Sequence, residues 1–242
     1  MTQDRLQKIL SQRDFGSRRD CEEIIKNQRV LVNGQIVNLG DKADPEVDRI
    51  LVDGIPITKE RIKKIYIAFN KPVNVISEIK KTDKRKIVSD FVPHEEHLYI
   101  VGRLDYRSEG LILMTNDGEI ANRLTHPRYE HEKEYRVLIN RSIQRNQINL
   151  WAKGIELPSG YHTLPAKVKI LESSASQTWL RIIMREGKKR QIREVGRELG
   201  IPVSRIIRDR IGTLKIGNLK YGEWRYLSDE EIKDLKKYSG LN

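Results

Sequence analysis

The chain has 242 residues, enough for one large or two unequal domains, and carries 46 lysines and arginines against 34 aspartates and glutamates, a formal net charge of +12. That surplus points to a polyanionic partner, nucleic acid before an anionic membrane surface, and no stretch approaches the roughly 20 apolar residues of a spanning helix. The single cysteine, Cys21, excludes an internal disulfide and any multi-cysteine metal site, and MTQDRLQKIL lacks the apolar core of a secretion signal; both fit a cytoplasmic protein in a reducing compartment.

Residues 4 to 13 place Leu6, Ile9 and Leu10 on one helical face, with Asp4 near the helix start. In FGSR, Gly16 can end that helix and Ser17 can cap the next, whose apolar positions Cys21, Ile24 and Ile25 recur at helical spacing. RVLVNGQIV alternates around Asn33-Gly34, the signal of a two-residue hairpin turn, and RILVDGIPI closes a compact unit near residue 58. The polar TKERIKK is the expected linker, dividing the chain into domains 1–60 and 61–242. Beyond it, IYIAFNKP and VNVISEI read as short β runs, and YIVGRLD leads into GRLDYRSEGLILMTNDG, a polar turn followed by an apolar strand. GEIANRLTH reads as helix, KEYRVLI as strand and SIQRNQINLWAKG as helix. AKVKILES and TWLRIIMRE alternate as strands, and KKRQIREVGRELG is a basic helix stopped by Gly200 and Pro202.

The positive charge is unevenly spread. Residues 1 to 60 hold 10 basic against 11 acidic side chains, whereas Trp179 to Lys215 holds 11 against 4. Several chemistries fail on spacing. EGKKR lacks the first glycine and the Ser or Thr of a phosphate loop, and Ser108 lacks the GxSxG frame of a hydrolase. His126 and His131, five apart with no cysteine nearby, read as loop or RNA-facing groups and not as a metal site. The H-x-E and P-C-x-x-C signature of a zinc deaminase is absent.

Asp105 stands out: a carboxylate between Arg103 and Arg107, immediately before a buried run. Periodicity alone reads it as a turn-forming aspartate. However, GRLDYRSEGLILMTNDG resembles the motif that carries the catalytic aspartate of pseudouridine synthases, in particular the RsuA family of ribosomal RNA enzymes. The resemblance covers nearly the whole chain. RLQKILSQRDFGSRRDCEEIIKNQRVLVNG is similar to the alpha-L RNA-binding unit shared with a small-subunit ribosomal protein. AFNKPVNVIS, HEKEYRV and REGKKRQIREV with SRIIRDRIG resemble the family's ordered core motifs, and GEWRYLSDEEI its usual ending.

The resemblance implies an α+β architecture: a small amino-terminal alpha-L domain followed by a catalytic domain built on a mixed, mainly antiparallel sheet. It implies isomerisation of uridine to pseudouridine in RNA by base flipping, with neither cofactor nor metal. Asp105 matches the family's nucleophile, Tyr135 the tyrosine that packs on the uracil, and Arg193 the cation paired with the aspartate. Ile192 matches the residue lining the pocket floor, and Arg103 the arginine that fills the gap left by the extruded base. Arg5, Arg18, Arg19 and Lys26 are the amino-terminal candidates for RNA contact. One departure is Glu194, where relatives commonly carry a second basic residue.

HEKEYRV and GEWRYLSDEE look closer to the RluB- and RluF-like large-subunit members, so the expected partner is large-subunit ribosomal RNA or a pre-ribosomal particle, with a monomer as the default. Small-subunit or transfer RNA as substrate, and a catalytically inactive RNA-binding or ribosome-assembly factor, stay open as alternatives.

Overall fold

The computed structural model describes residues 3–57, 63–82, 84–94 and 97–241. The chain divides into two compact units, one running to Ile65 and including His94–Leu98 and Asn116–Gly118, the other comprising Tyr66–Pro93, Tyr99–Thr115 and Glu119–Asn242. The expected linker falls mainly on residues 58–62, which lie outside the described residues.

In the amino-terminal unit, strand β1 (Asp4–Arg5) leads into helix α1 (Leu6–Ser11), and helix α2 (Arg18–Lys26) follows. The first helix is shorter than expected, and Asp4 does not cap it; its carboxylate pairs with Lys8 at 2.7 Å instead. Ser17 does cap α2, accepting from the Asp20 amide while the Asp20 side chain accepts from the Ser17 amide, so two orphan donors are satisfied reciprocally. Strands β2 (Val30–Val32) and β3 (Gln35–Ile36) form the expected hairpin, with Asn33 and Gly34 at φ 52° and 85°, the positive values its tight turn demands. Strand β4 (Lys42–Ala43) pairs with β1, and β5 (Ile50–Val52) with β2 and β6 (Ile55–Pro56). Leu6, Ile9, Leu10, Cys21 and Ile25 pack against Val30, Ile50 and Val52 to make its core, so Cys21 is the small buried apolar contact its spacing suggested.

The larger unit is organised by a sheet that, among the described residues, has nine strands. In chain order these are β7 (Tyr66–Lys71), β8 (Tyr99–Val101), β9 (Glu109–Thr115), β10 (Lys133–Ile139), β11 (Lys167–Ser173), β12 (Thr178–Met184), β13 (Val203–Ile211), β14 (Leu214–Lys215) and β15 (Trp224–Tyr226). They lie in the order β11-β12-β10-β13-β9-β7-β15, with β14 on β13 and β8 on β9. Every pairing is antiparallel except β13 with β9, where Ile207 and Arg208 run parallel to Glu109 and Gly110. β9 and β7 are buried along their whole length, which explains their unbroken apolar runs, whereas β12 alternates strictly as a sheet with one covered face does. Helices α3 (Gly118–Thr125), α4 (Arg145–Lys153), α5 (Gln191–Glu198) and α6 (Asp229–Tyr238) complete it, and Ile120, Leu124 and Leu235 pack on Leu111, Leu113 and Ile211.

Two expectations are corrected. VNVISEI forms no strand: Ile76 makes only an isolated bridge to Ile87, and the Ser77 hydroxyl is bonded to the Leu104 carbonyl at 2.7 Å. The basic helix starts at Gln191 and not at Lys188, because Arg190 adopts a left-handed conformation (φ 56°) and the Gln191 side chain accepts from the Lys188 amide at 3.0 Å.

Candidate active site

The parallel step between β9 and β13 leaves the turn before β9, residues 102 to 108, at the head of a cleft of about 1000 Å³. Asp105 lies in this turn, half-buried, and lines the cleft. The turn is fixed from four directions. The Ser108 amide donates to the Asp105 carbonyl at 2.9 Å and closes it, so Ser108 orders the turn through its main chain. On the upstream side the Leu104 amide donates to the Ser77 hydroxyl at 3.1 Å, while that hydroxyl donates to the Leu104 carbonyl. From α5, Arg193 Nη2 donates to the Arg107 carbonyl at 3.0 Å and Nη1 to the Val203 carbonyl at 3.1 Å. From β13, Arg208 donates through Nη2 to the Gly102 carbonyl at 2.6 Å and through Nε to the Leu111 carbonyl at 2.8 Å. A carboxylate on a turn held this way is presented in one place, which is what a preorganised reactive group requires.

The electrostatics are unusual. Arg208 is 1 % exposed, and burial lowers its pKa from the ordinary arginine value, opposed by the Tyr135 hydroxyl beside it. Burial likewise lowers that of Arg193, opposed by the through-space pull of Asp105. Lys71 is wholly buried, its Nζ donating to the carbonyls of Pro72 (2.9 Å) and Val75 (2.8 Å), and desolvation pushes its pKa down to about 8 against the attraction of Glu109 and Asp105. Lys133, on the cleft wall, is also held at about 8 by burial and by Arg208. Two buried cations, Arg208 and Lys71, and the half-buried Arg193 thus lie around the Asp105 turn, in a medium where their fields are weakly screened.

Tyr135 on β10 and Ile192 on α5 also line the cleft, 7 % and 8 % exposed. Arg103 projects at the mouth with its side chain 72 % exposed, 3.7 Å from Glu78. The buried Glu186, also in the cleft lining, accepts from the Leu164 amide at 2.8 Å and from the side chains of Tyr161 and Gln191. This ties down the loop carrying Lys188, whose ammonium lies 4.6 Å from the Tyr161 ring centre.

Residues 65–196, which contain the Asp105 turn, Tyr135 and Arg193, match the RNA pseudouridylate synthase family, and residues 4–48 match the S4 domain. The chain belongs to the RNA pseudouridylate synthase family. It is 38 % identical over 244 residues to an uncharacterized RNA pseudouridine synthase of Aquifex aeolicus, covering 100 % of this chain and 97 % of that one. It is 36 % identical over 237 residues to the ribosomal large subunit pseudouridine synthase B of Bacillus subtilis, covering 96 % of each. A crystal structure of a pseudouridylate synthase superposes with a TM-score of 0.69 at 28 % identity, over 96 % of this chain and 99 % of that one. An S4 domain followed by a pseudouridine synthase domain on a mainly antiparallel sheet is therefore the architecture, and the expected fold class holds.

Within this pseudouridine synthase, the structure brings Asp105, Tyr135, Ile192 and Arg103 to one cleft, with Arg193 bonded to the Asp105 turn. Arg5, Arg18, Arg19 and Lys26 belong to the amino-terminal unit, where all four are exposed, Lys26 in an ion pair with Glu23 at 2.7 Å. Reading residues alone missed Arg208, Lys71, Lys133 and the Tyr161–Glu186–Gln191 group. For the first two a signal existed: a cation embedded in an apolar strand run, IIRD and IAFNK, is rarely buried without a dedicated set of acceptors.

Proposed function

We propose that this pseudouridine synthase isomerises a specific uridine in large-subunit ribosomal RNA, with Asp105 as the nucleophile. The observation that carries the assignment is the half-buried Asp105 carboxylate on a turn pinned by Ser77, Arg193 and Arg208, opening on a cleft lined by Tyr135 and Ile192. Extraction of the uridine from its stack costs a few kcal/mol, and Tyr135 with Ile192 offers the flat apolar surface that receives the base. Asp105 forms a covalent adduct that is later released. The bond between sugar C1′ and N1 breaks, the uracil turns within the cleft, and C1′ bonds to C5; the C5 proton leaves and N1 gains one, so the elemental composition and mass of the RNA are unchanged. Arg193, bonded to the Arg107 carbonyl and within the through-space pull of Asp105, is the cation paired with the carboxylate, and Arg103, exposed and, among the described residues, 3.7 Å from Glu78 in a weak surface pair, enters the space the base vacates.

Large-subunit RNA is supported by the full-length similarity to the Bacillus enzyme. The S4 region supplies Arg5, Arg18, Arg19 and Lys26 for RNA contact, and a boundary near residue 60 is supported by the first segment of the amino-terminal unit, which runs to Ile65. Among the described residues no helix is long and apolar enough to cross a membrane, and action as a monomer in the cytoplasm, where ribosomes assemble, completes the reading.

Pseudouridine mapping of total RNA from cells lacking the gene, complemented by wild type or by Asp105→Asn, tests it. One site is expected to vanish with the gene and return only with wild type, while Asp105→Asn protein still binds RNA. An unchanged map would leave an RNA-binding role only.

A further inference from the structure

One wall of the cleft carries a group of rings that takes no part in holding Asp105. His126, Pro127 and His131 line this wall, in the short turn after α3. Behind them Tyr129 stands edge-on to His126 (centroids 6.1 Å apart, planes at 72°) and is stacked on His131 (6.1 Å, 19°). His131 in turn packs on Tyr238 at 4.9 Å. Two guanidiniums lie on the Tyr129 ring, Arg128 at 4.5 Å and Arg123 at 5.0 Å. Glu130 takes a left-handed conformation (φ 48°), which reverses the chain and returns His131 to Tyr129.

Core packing does not account for this arrangement, because His126 and Arg128 are exposed and the buried His131 Nε2 has no hydrogen-bond partner among the described residues. Metal binding does not account for it either: among the described residues no cluster of three or more metal-ligating side chains forms. Size points the same way. A cleft of about 1000 Å³ stands at the upper end of the ~300–1,000 Å³ that encloses a drug-sized ligand, and a single nucleoside needs only the lower end.

We propose that this wall is a second nucleobase subsite, in which the His126 ring, backed by Tyr129, stacks an unpaired base neighbouring the target uridine, and Arg128 and Arg123 neutralise its phosphate. The inference rests on the RNA-modifying reading of Asp105. Its physical basis is general. When a uridine leaves the stack, the base beside it loses a neighbour, and unpaired RNA bases are held by stacking on His and Tyr rings and on guanidinium planes.

His126 permits a test that separates its ring from its structural role. Its Nδ1 accepts from the Arg128 amide at 3.3 Å and so caps the turn. His126→Asn keeps a capping acceptor and removes the ring; His126→Phe keeps the ring and removes the acceptor. The probes are an end-labelled hexaribonucleotide carrying one central purine and the same oligomer with that base removed, both titrated by fluorescence anisotropy. We expect His126→Asn to weaken the base-containing probe roughly 5- to 100-fold with little effect on the abasic one, and His126→Phe to bind within about twofold of wild type. Equal loss on both probes would reduce the wall to a phosphate contact, equal loss in both variants would make His126 a structural cap, and no loss in either would remove it from RNA binding; each overturns the proposal. None of these readings depends on chemistry, whereas failure of wild type to form pseudouridine in RNA from gene-deleted cells would overturn the Asp105 assignment separately.

Discussion

Gly110, five residues after Asp105, joins the Asp105 turn to the central sheet, and Gly110→Ala should damage both stability and activity. The backbone there has φ +108°, a region that side-chain-bearing residues rarely occupy, so strain alone costs on the order of 1–3 kcal/mol. A Cβ would also run into the Arg208 main chain, meeting its nitrogen at 2.5 Å and its carbonyl carbon at 3.0 Å, with the carbonyl oxygen nearer still. Ordinary contact begins at 3.4 Å, so β9 and β13 must part by roughly 0.9 Å at the point where Gly110 pairs with Arg208. A ladder bond of ~2.9 Å stretched by that much lies outside hydrogen-bonding range, at a further ~0.5–1.5 kcal/mol for each one lost. The expected total is about 2–5 kcal/mol, measured by urea unfolding, with a fall in Tm of roughly 5–15 °C for a chain of this size. Because Arg208 holds Gly102 from the same strand, pseudouridine formation should fall more than RNA binding does. Gly187→Ala is the control: a Cβ there meets nothing within 4 Å and φ is not positive, so its stability should match wild type. If Gly110→Ala unfolds within about 0.5 kcal/mol of wild type, the close approach of the two strands is not what fixes the turn.

Lys133 gives a pH dependence with a definite sign. Its pKa in the free protein is lowered to about 8 by burial and by Arg208, so the cation that attracts phosphate is present at pH 7 and lost as pH rises through 8. RNA affinity should fall between pH 7 and 9 by about 3- to 10-fold, and Lys133→Met should abolish that dependence and shrink the salt slope by about 1. Lys71 has a similar pKa but is wholly buried and does not line the cleft, so Lys71 is not expected to contribute. An unaltered pH profile in Lys133→Met would remove Lys133 from RNA contact. Tyr161→Phe deletes one of three donors to the buried Glu186 while keeping the ring beneath Lys188, and should cost about 1–2 kcal/mol in urea unfolding. A variant as stable as wild type would mean that the amide of Leu164 and the side chain of Gln191 suffice to hold that carboxylate.

Much of the local structure was legible because its causes are local. Asn33-Gly34 tolerates the positive φ of a tight turn wherever it occurs, Ser17 can cap a helix with Asp20 three residues on, and the alternation of TWLRIIM reports one covered face of a sheet. The family motif likewise singled out Asp105, Tyr135, Ile192 and Arg193 without coordinates. What no window of sequence contains is the partner of a group that is buried far from its neighbours in the chain. Arg208 finds its acceptors at Gly102 and Leu111 and Arg193 finds one at Arg107, separations of 106, 97 and 86 residues. The same distance effect turned VNVISEI from a strand into an anchored loop, since the Ser77 hydroxyl is satisfied by Leu104, 27 residues on. The start of α5 moved for a related reason, with Gln191 drawn to the buried Glu186 and to the Lys188 amide. Periodicity and turn chemistry record which surface a residue covers. The identity of the acceptor that makes a buried cation tolerable is decided only when the sheet closes, because an unpaired charge inside the protein is costly and the chain can satisfy it only with whatever carbonyls tertiary packing brings within reach.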